Sequence, residues 1–317
     1  MKHENTRRLA NLLAEGRSFW LAAAAGLAFA ALLLTTAPAR AQEGAGPLRI
    51  GGKNFTEQLI LSSMTTQYLK AKGIDATLTS GLGSTLMRQA MESGQLDVVW
   101  DYTGTALIVF NKVEEKLDGP ESYKRVKALD AAKGLVWLDP SQVNNTYAFA
   151  MPKERAGDIR TLSAYAEKMR KDGDDTKHPL AVDMEFAARP DGLEPLKAAY
   201  QLPFGRKDVI QLDPGLVYTA LKNNQVDLGL VYTTDGRVKG FDLVLLEDDL
   251  HFFPPYNAVP VVRKAALDAH PELADLLNAL SSKLDNAAMT DMNYQVDINQ
   301  QPVDKVAGDF LRGHGLI

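Results

Sequence analysis

The chain has 317 residues, 45% of them hydrophobic, and a formal net charge of −5. That is enough apolar material for a real core and, by length, room for about two domains. It has no cysteine, which excludes a disulfide framework, a thiolate zinc site and a lipid anchor through cysteine.

In chain order, the first 41 residues read as a leader. Arg7, Arg8 and Arg17 form a basic start, Phe19 to Leu34 is almost wholly apolar (FWLAAAAGLAFAALLL), and Ala39-Arg40-Ala41 is a small-x-small site. This order predicts a secretory signal peptide over 1–41, cleaved after Ala41. The apolar run is near the lower limit of about 17 residues for a membrane span, so an uncleaved anchor is the alternative. Small residues and Pro38 follow the run where a stop-transfer segment would place basic ones. Arg7-Arg8 fits either a twin-arginine route or ordinary leader charge. Cleavage removes five basic and two acidic side chains, so the mature chain sits three units lower, near −8. Nucleic acid, which wants a basic face, is not an expected partner. No later apolar run is long enough to span a bilayer, and a soluble, exported, periplasmic protein is expected.

Leu48-Arg49-Ile50 begins a strand. A helix follows with Asn54 or Thr56 as its cap, Glu57 suited to its positive end, and Leu59, Ile60, Met64 and Leu69 at helical spacing. Ala76–Leu78 is a strand, Ser84–Ser93 a helix, and Leu96 starts the next strand. The alternation resumes with Ala148–Met151, a helix near 162–171, Leu180–Asp183, a helix near 193–200, Val209–Leu212, a helix from Gly215 and a strand from Asp227 to Tyr232. The tail is helical over 264–270, 272–284 and 303–313, with 285–293 continuing that character. Such alternation predicts α/β units and mostly parallel sheets.

Two stretches echo each other. Ala90-Met91-Glu92-Ser93-Gly94-Gln95-Leu96-Asp97 runs into a strand and then Tyr102-Thr103; Ala220-Leu221-Lys222-Asn223-Asn224-Gln225-Val226-Asp227 runs into a strand and then Tyr232-Thr233. In both, a Gln precedes the Tyr by the same interval. Ligands of open parallel sheets bind beyond the carboxyl ends of the strands. Two similar lobes facing each other therefore present Tyr102 and Tyr232 to one cleft. Tyr147, in NNTY, lies where the chain passes to the second lobe, and Tyr256, in FFPPY, where it returns, stiffened by Pro254-Pro255. Any one of these rings can be edge-of-core packing. Several negative ring faces around a point are also how proteins hold a quaternary ammonium. On that reading the ring face carries the contact, and Phe substitutions are expected to be mild.

At these residues the chain resembles the periplasmic binding proteins of ABC importers for glycine betaine, choline and related osmoprotectants. The blocks are GGKNFTEQ at 51–58, YTGTAL at 102–107, NNTYAF at 144–149, EFAARPDG at 185–192, DPGLVYTALK at 213–222, VYTTDGR at 231–237 and FFPPYN at 252–257. The resemblance covers about Leu48 to Ile317. It implies a two-lobed, hinged α/β fold of the type II periplasmic-binding-protein class, with the ligand between the lobes. Lobe one is then 42–143 plus 249–317, and lobe two 144–248. It also implies a trimethylammonium cage of Tyr102, Tyr147, Tyr232 and Tyr256, with Lys53, Thr105 and Arg189 on the ligand carboxylate. Read without the resemblance, Lys53 is also explicable as a solvated loop lysine, Arg189 as a salt bridge to Asp191 or Asp183, and Thr105 as the cap of a helix beginning near Ala106.

The five histidines are scattered without metal spacing, and there is no nucleophile elbow or P-loop. Gly81-Leu82-Gly83-Ser84-Thr85 precedes a helix and could hold an anion, though a plain turn accounts for it. The expectation is therefore a monomeric binding protein, not an enzyme, with no catalytic residue, metal or cofactor. Its partners are a small quaternary amine, glycine betaine or a similar zwitterion, and the membrane permease of an ABC importer. The rival is a sensor or receptor of the same fold for another ligand, such as an amino acid or choline.

Overall fold

The computed structural model describes residues 46–173 and 176–317; the expected leader over 1–41 lies outside the described residues. The first half runs β1 (Leu48–Lys53), α1 (Thr56–Ala71), β2 (Ala76–Leu82), α2 (Ser84–Glu92), β3 (Val98–Tyr102), α3 (Gly119–Ala131) and β4 (Leu135–Trp137). The chain then crosses to β5 (Tyr147–Pro152), α4 (Leu162–Asp172), β6 (Leu180–Asp183), α5 (Met184–Ala188), α6 (Leu193–Tyr200), β7 (Val209–Leu212), α7 (Pro214–Lys222), β8 (Leu228–Tyr232), α8 (Gly236–Gly240) and β9 (Leu243–Leu246). It returns through β10 (Ala258–Arg263) and ends in α9 (Lys264–Ala269), α10 (Leu273–Ser281), α11 (Asn286–Asp297) and α12 (Val303–Gly313).

The strands form two five-stranded sheets of one plan, β2-β1-β3-β10-β4 and β7-β6-β8-β5-β9. In each, a parallel trio is followed by one reversed strand, β10 in the first and β5 in the second. The mostly parallel expectation holds within the trios only: each reversed strand pairs antiparallel on both sides, so half of the strand pairings are antiparallel. Both reversed strands are the ones that arrive from the other sheet. The reversal has a geometric consequence: an arriving strand starts beside the point where a parallel strand ends. Ala258 pairs with Tyr102, and Tyr147 pairs with Tyr232. The two crossings run side by side, with Asn145 N–H donating to the Tyr256 carbonyl and Tyr256 N–H to Asn144 Oδ1.

Local chemistry explains several helix starts. Asp118, Thr161, Asp183 and Asp285 each accept a backbone N–H from the first turn of α3, α4, α5 and α11, satisfying donors that a helix leaves unpaired. The start of α1 departs from the sequence reading. Its cap residue is Phe55, in extended conformation and without a side-chain bond, while the Thr56 hydroxyl donates to Asp297 on α11. Because α1 is buried nearly all round, its polar residues bond back to its own carbonyls: Ser62 to Gln58, Thr65 to Leu61, Thr66 to Ser62. Residues 285–293 do not prolong the preceding helix; Asp285 starts a separate one. That helix, α11, packs on α1 of the first sheet and also on α8 of the second. The close approach needs Gly236, where a Cβ would stand 2.4 Å from Tyr294 Cα. None of the helices among the described residues is long and apolar enough to cross a membrane.

Candidate ligand-binding site

Between the carboxyl ends of the two parallel trios lies a cavity of about 250 Å³. It is smaller than the ~300–1,000 Å³ usual for drug-sized ligands. Tyr102, Tyr147, Tyr232 and Tyr256 all line it, with Lys53 and Thr105. The sheet plan explains the convergence, since each sheet contributes the tyrosine ending a parallel strand and one that opens its reversed strand, as Tyr147 does β5, or lies just before it, as Tyr256 does β10. Tyr147 is 5.5 Å from Tyr232 and 5.2 Å, edge-on, from Tyr256, centroid to centroid. The glycine in YTGT has a local cause. A Cβ on Gly104 would lie 2.7 Å from the Tyr256 ring, so only the bare backbone lets that ring reach the cavity.

Several lining residues were not anticipated. Phe55 stands between the halves, 6.2 Å from Tyr102 and 5.2 Å from Tyr232. Asp183 ends β6 and lines the cavity beside Glu185 and Asn145. The strand-end rule that singled out Tyr102 and Tyr232 would have found Asp183 had it been applied to LAVD.

The hydroxyls of three of these tyrosines are held by buried carboxylates. Tyr102 donates to Glu57 at 2.7 Å, Tyr232 to Asp183 at 2.9 Å and Tyr256 to Asp191 at 2.8 Å. Burial first, and then the adjacent carboxylate, pushes the Tyr102 and Tyr232 phenols well above their ordinary range, so both remain donors. Tyr147 is also pushed up by burial, but no carboxylate accepts its hydroxyl among the described residues. Phe substitution is therefore not uniformly mild. Tyr102→Phe takes one donor from buried Glu57 and should cost roughly 1–2 kcal/mol of stability. Tyr147→Phe should cost under about 0.5 kcal/mol. Thermal melts of the two variants check this, and equal melting temperatures would show that the Glu57 bond contributes nothing.

The polar groups are already paired. Lys53 Nζ donates to Asp101 at 2.8 Å, with both side chains about 95% buried, and lies 5.1 Å from the Tyr102 ring centre; it is not a solvated loop lysine. Arg189 is not among the cavity-lining residues. It grips Asp191 through two bonds of 2.8 and 2.6 Å, so the salt-bridge reading applies, with Asp191 as partner. It also donates to Thr105 Oγ1 at 3.1 Å and sits 5.4 Å and 5.7 Å from the Tyr147 and Tyr256 ring centres. The Thr105 hydroxyl caps no helix; the short turn starting at Thr103 has Tyr102 as its cap residue, without a side-chain bond.

Comparison with known proteins follows the same lines. The family described as the substrate binding domain of ABC-type glycine betaine transport systems matches residues 46–313. A glycine-betaine-binding protein of Pseudomonas aeruginosa is 56% identical over 276 residues, 85% of this chain and 88% of that one. The carnitine transport binding protein OpuCC of Listeria monocytogenes is 34% identical over 305 residues, 90% of this chain and 94% of its own. A crystal structure of a glycine betaine/carnitine/choline ABC transporter component superposes with a TM-score of 0.68 at 30% identity, covering 85% of this chain and 99% of that one.

Proposed function

Because the chain belongs to the family of substrate binding domains of ABC-type glycine betaine transport systems, we propose that it captures glycine betaine or a close zwitterion in the tyrosine-lined cavity and delivers it to a membrane permease. The observation that carries this reading is the convergence of four tyrosines from two sheets around one small cavity that also holds a lysine. The rings take the trimethylammonium head. Cation–π contacts are worth about 2 kcal/mol or more when desolvated. Ligand touching both sheets stabilises the closed arrangement by binding it better than an open one.

The carboxylate end falls to Lys53 and Thr105. Lys53 commits one donor to Asp101 and has two to spare. Thr105 accepts from Arg189, which leaves its own proton free to donate into the cavity, so Arg189 acts on ligand through Thr105. Neither Lys53 nor Arg189 is an unpaired cation in search of an anion, because each already has a carboxylate. The preference for a zwitterion rests instead on the spare donors of Lys53 and on Thr105. The acidic partner that the primary ammonium of an amino acid would need is present, since Asp183 and Glu185 line the cavity. Asp183, however, already accepts from Tyr232 and from the Phe186 N–H.

Titration calorimetry with glycine betaine, carnitine, choline and glutamate tests the reading. Betaine should bind with a micromolar Kd, about −8 kcal/mol, and at least ~10-fold tighter than choline. Equal affinities for betaine and choline would remove the carboxylate end of the site; binding of glutamate without betaine would overturn the reading. The order of residues 1–41 further supports export to the periplasm with a mature start near Gln42. Intact mass of the exported protein decides it, and a membrane-bound species retaining Met1 to Ala41 would refute cleavage.

A further inference from the structure

The cage has a second layer. Behind the ring of Tyr102 stands Glu57, and beside that of Tyr232, in the cavity wall, stands Asp183, each accepting the hydroxyl proton of its tyrosine. Glu57 is 2% exposed and Asp183 3%. Among the described residues neither has a basic side chain in contact. Glu57 is surrounded by neutral donors, the Tyr102 and Thr234 hydroxyls and Asn145 Nδ2. Asp183 takes the Phe186 N–H and the Tyr232 hydroxyl, and the cation it feels, Arg189, is committed to Asp191. The third backing carboxylate, Asp191, differs because Arg189 compensates it.

Burying a carboxylate without a cation is costly. Packing alone does not require it here, since a glutamine at position 57 could accept the Tyr102 proton and donate its amide to a Thr234 hydroxyl turned to accept. A positive charge arriving in the cavity would supply the missing partner. We infer that Glu57 and Asp183 are the electrostatic backing of the cage, charging its walls through Tyr102 and Tyr232 so that the closed cavity selects a permanently cationic head over a neutral head of the same shape. Glu57 does not line the cavity and acts through the Tyr102 ring as a positioning and specificity residue, whereas Asp183 lines the cavity beside Tyr232 and acts both through that ring and directly on the head. A proton shared toward a carboxylate leaves the phenol more electron-rich, and the ring face that meets the ammonium is more negative than that of an isolated tyrosine. The formal charge, one ring further out for Glu57 and at the cavity wall for Asp183, adds to the same field. Glu57 has a second consequence: Thr234 follows β8 and Tyr102 ends β3, so its carboxylate also ties the two sheets together.

The inference rests on the quaternary-amine reading, and its test separates the two. The ligands are glycine betaine and 3,3-dimethylbutanoate, in which a carbon replaces the ammonium nitrogen at constant shape. The variants are Glu57→Gln and Asp183→Asn, which retain an acceptor oxygen and remove the charge. Each should weaken betaine about tenfold, the order expected of one charge acting across or beside a ring at an effective dielectric constant of about 20. Binding of the anionic dimethylbutanoate should stay constant or tighten, because a repelling charge has gone. A merely structural role weakens both ligands alike, and that result would overturn the inference while leaving the cage intact. Wild-type protein that fails to bind betaine would instead overturn the parent reading. If Glu57→Gln does not fold, Asp183→Asn decides alone, since asparagine can still cap α5.

Discussion

Arg189→Ala should destabilise the protein by roughly 3–5 kcal/mol, the cost of breaking a buried ion pair from one side, or a fall in Tm on the order of 10 °C for a chain of this size. The guanidinium is 6% exposed and makes a two-bond grip on Asp191. Truncation leaves that carboxylate in the interior with the Tyr256 hydroxyl as its remaining side-chain donor. The same change withdraws a donor from Thr105 and a cation from beside two cage rings, so betaine affinity should fall as well. The double variant Arg189→Met with Asp191→Leu removes both charges and should recover most of the stability, because the large term is the orphaned charge. Melting curves for the single and double variants, with calorimetry at a temperature where all are folded, separate the roles. A residue that only clamped ligand would lower affinity and leave Tm where it was; that outcome would sink the ion-pair account.

Tyr147→Ala should be as damaging. This ring is the hub of the aromatic cluster, 5.0 Å from Phe186, 5.2 Å from Tyr256, 5.5 Å from Tyr232 and 5.8 Å from Phe253. Large-to-small changes at buried aromatic positions cost about 3–5 kcal/mol, part of it from the cavity left behind. Binding loses one ring contact, worth about 2 kcal/mol desolvated, and also the support that holds the neighbouring rings apart. Betaine affinity should drop on the order of 100-fold. Tyr147→Phe, which keeps the ring, should bind within a few-fold of wild type. Wild-type affinity in the alanine variant, measured below its lowered Tm, would assign Tyr147 to packing alone.

The same contacts show where reading residues in order succeeds. Tyr102 and Tyr232 were found because a strand announces its own end, and the end of a parallel strand is where ligand binds. Tyr147 and Tyr256 were found as positions at the crossings. The reason they meet the first two is the reversal of β5 and β10, and the sequence reading contained no β10 at all: AVPVVR is a short apolar run whose direction is decided by its neighbours. β4, three residues long, likewise carries too little pattern to stand alone.

By itself the sequence determined what is local: the order of strands and helices, the repetition of one α/β plan, and the residues at strand ends. Periodicity and capping act over a few residues, and they survive in a one-dimensional string. Only the tertiary structure decided which charges are free. Lys53 pairs with Asp101 across 48 residues and Glu57 accepts from Thr234 across 177, while Arg189 turns to Asp191 and away from the cavity. Such pairings follow no period. They are settled when burial strips water from each charge and leaves the nearest donor or acceptor as its only recourse. That is why the positions of the four tyrosines were legible in the chain and the pairing of their hydroxyls with buried carboxylates was not.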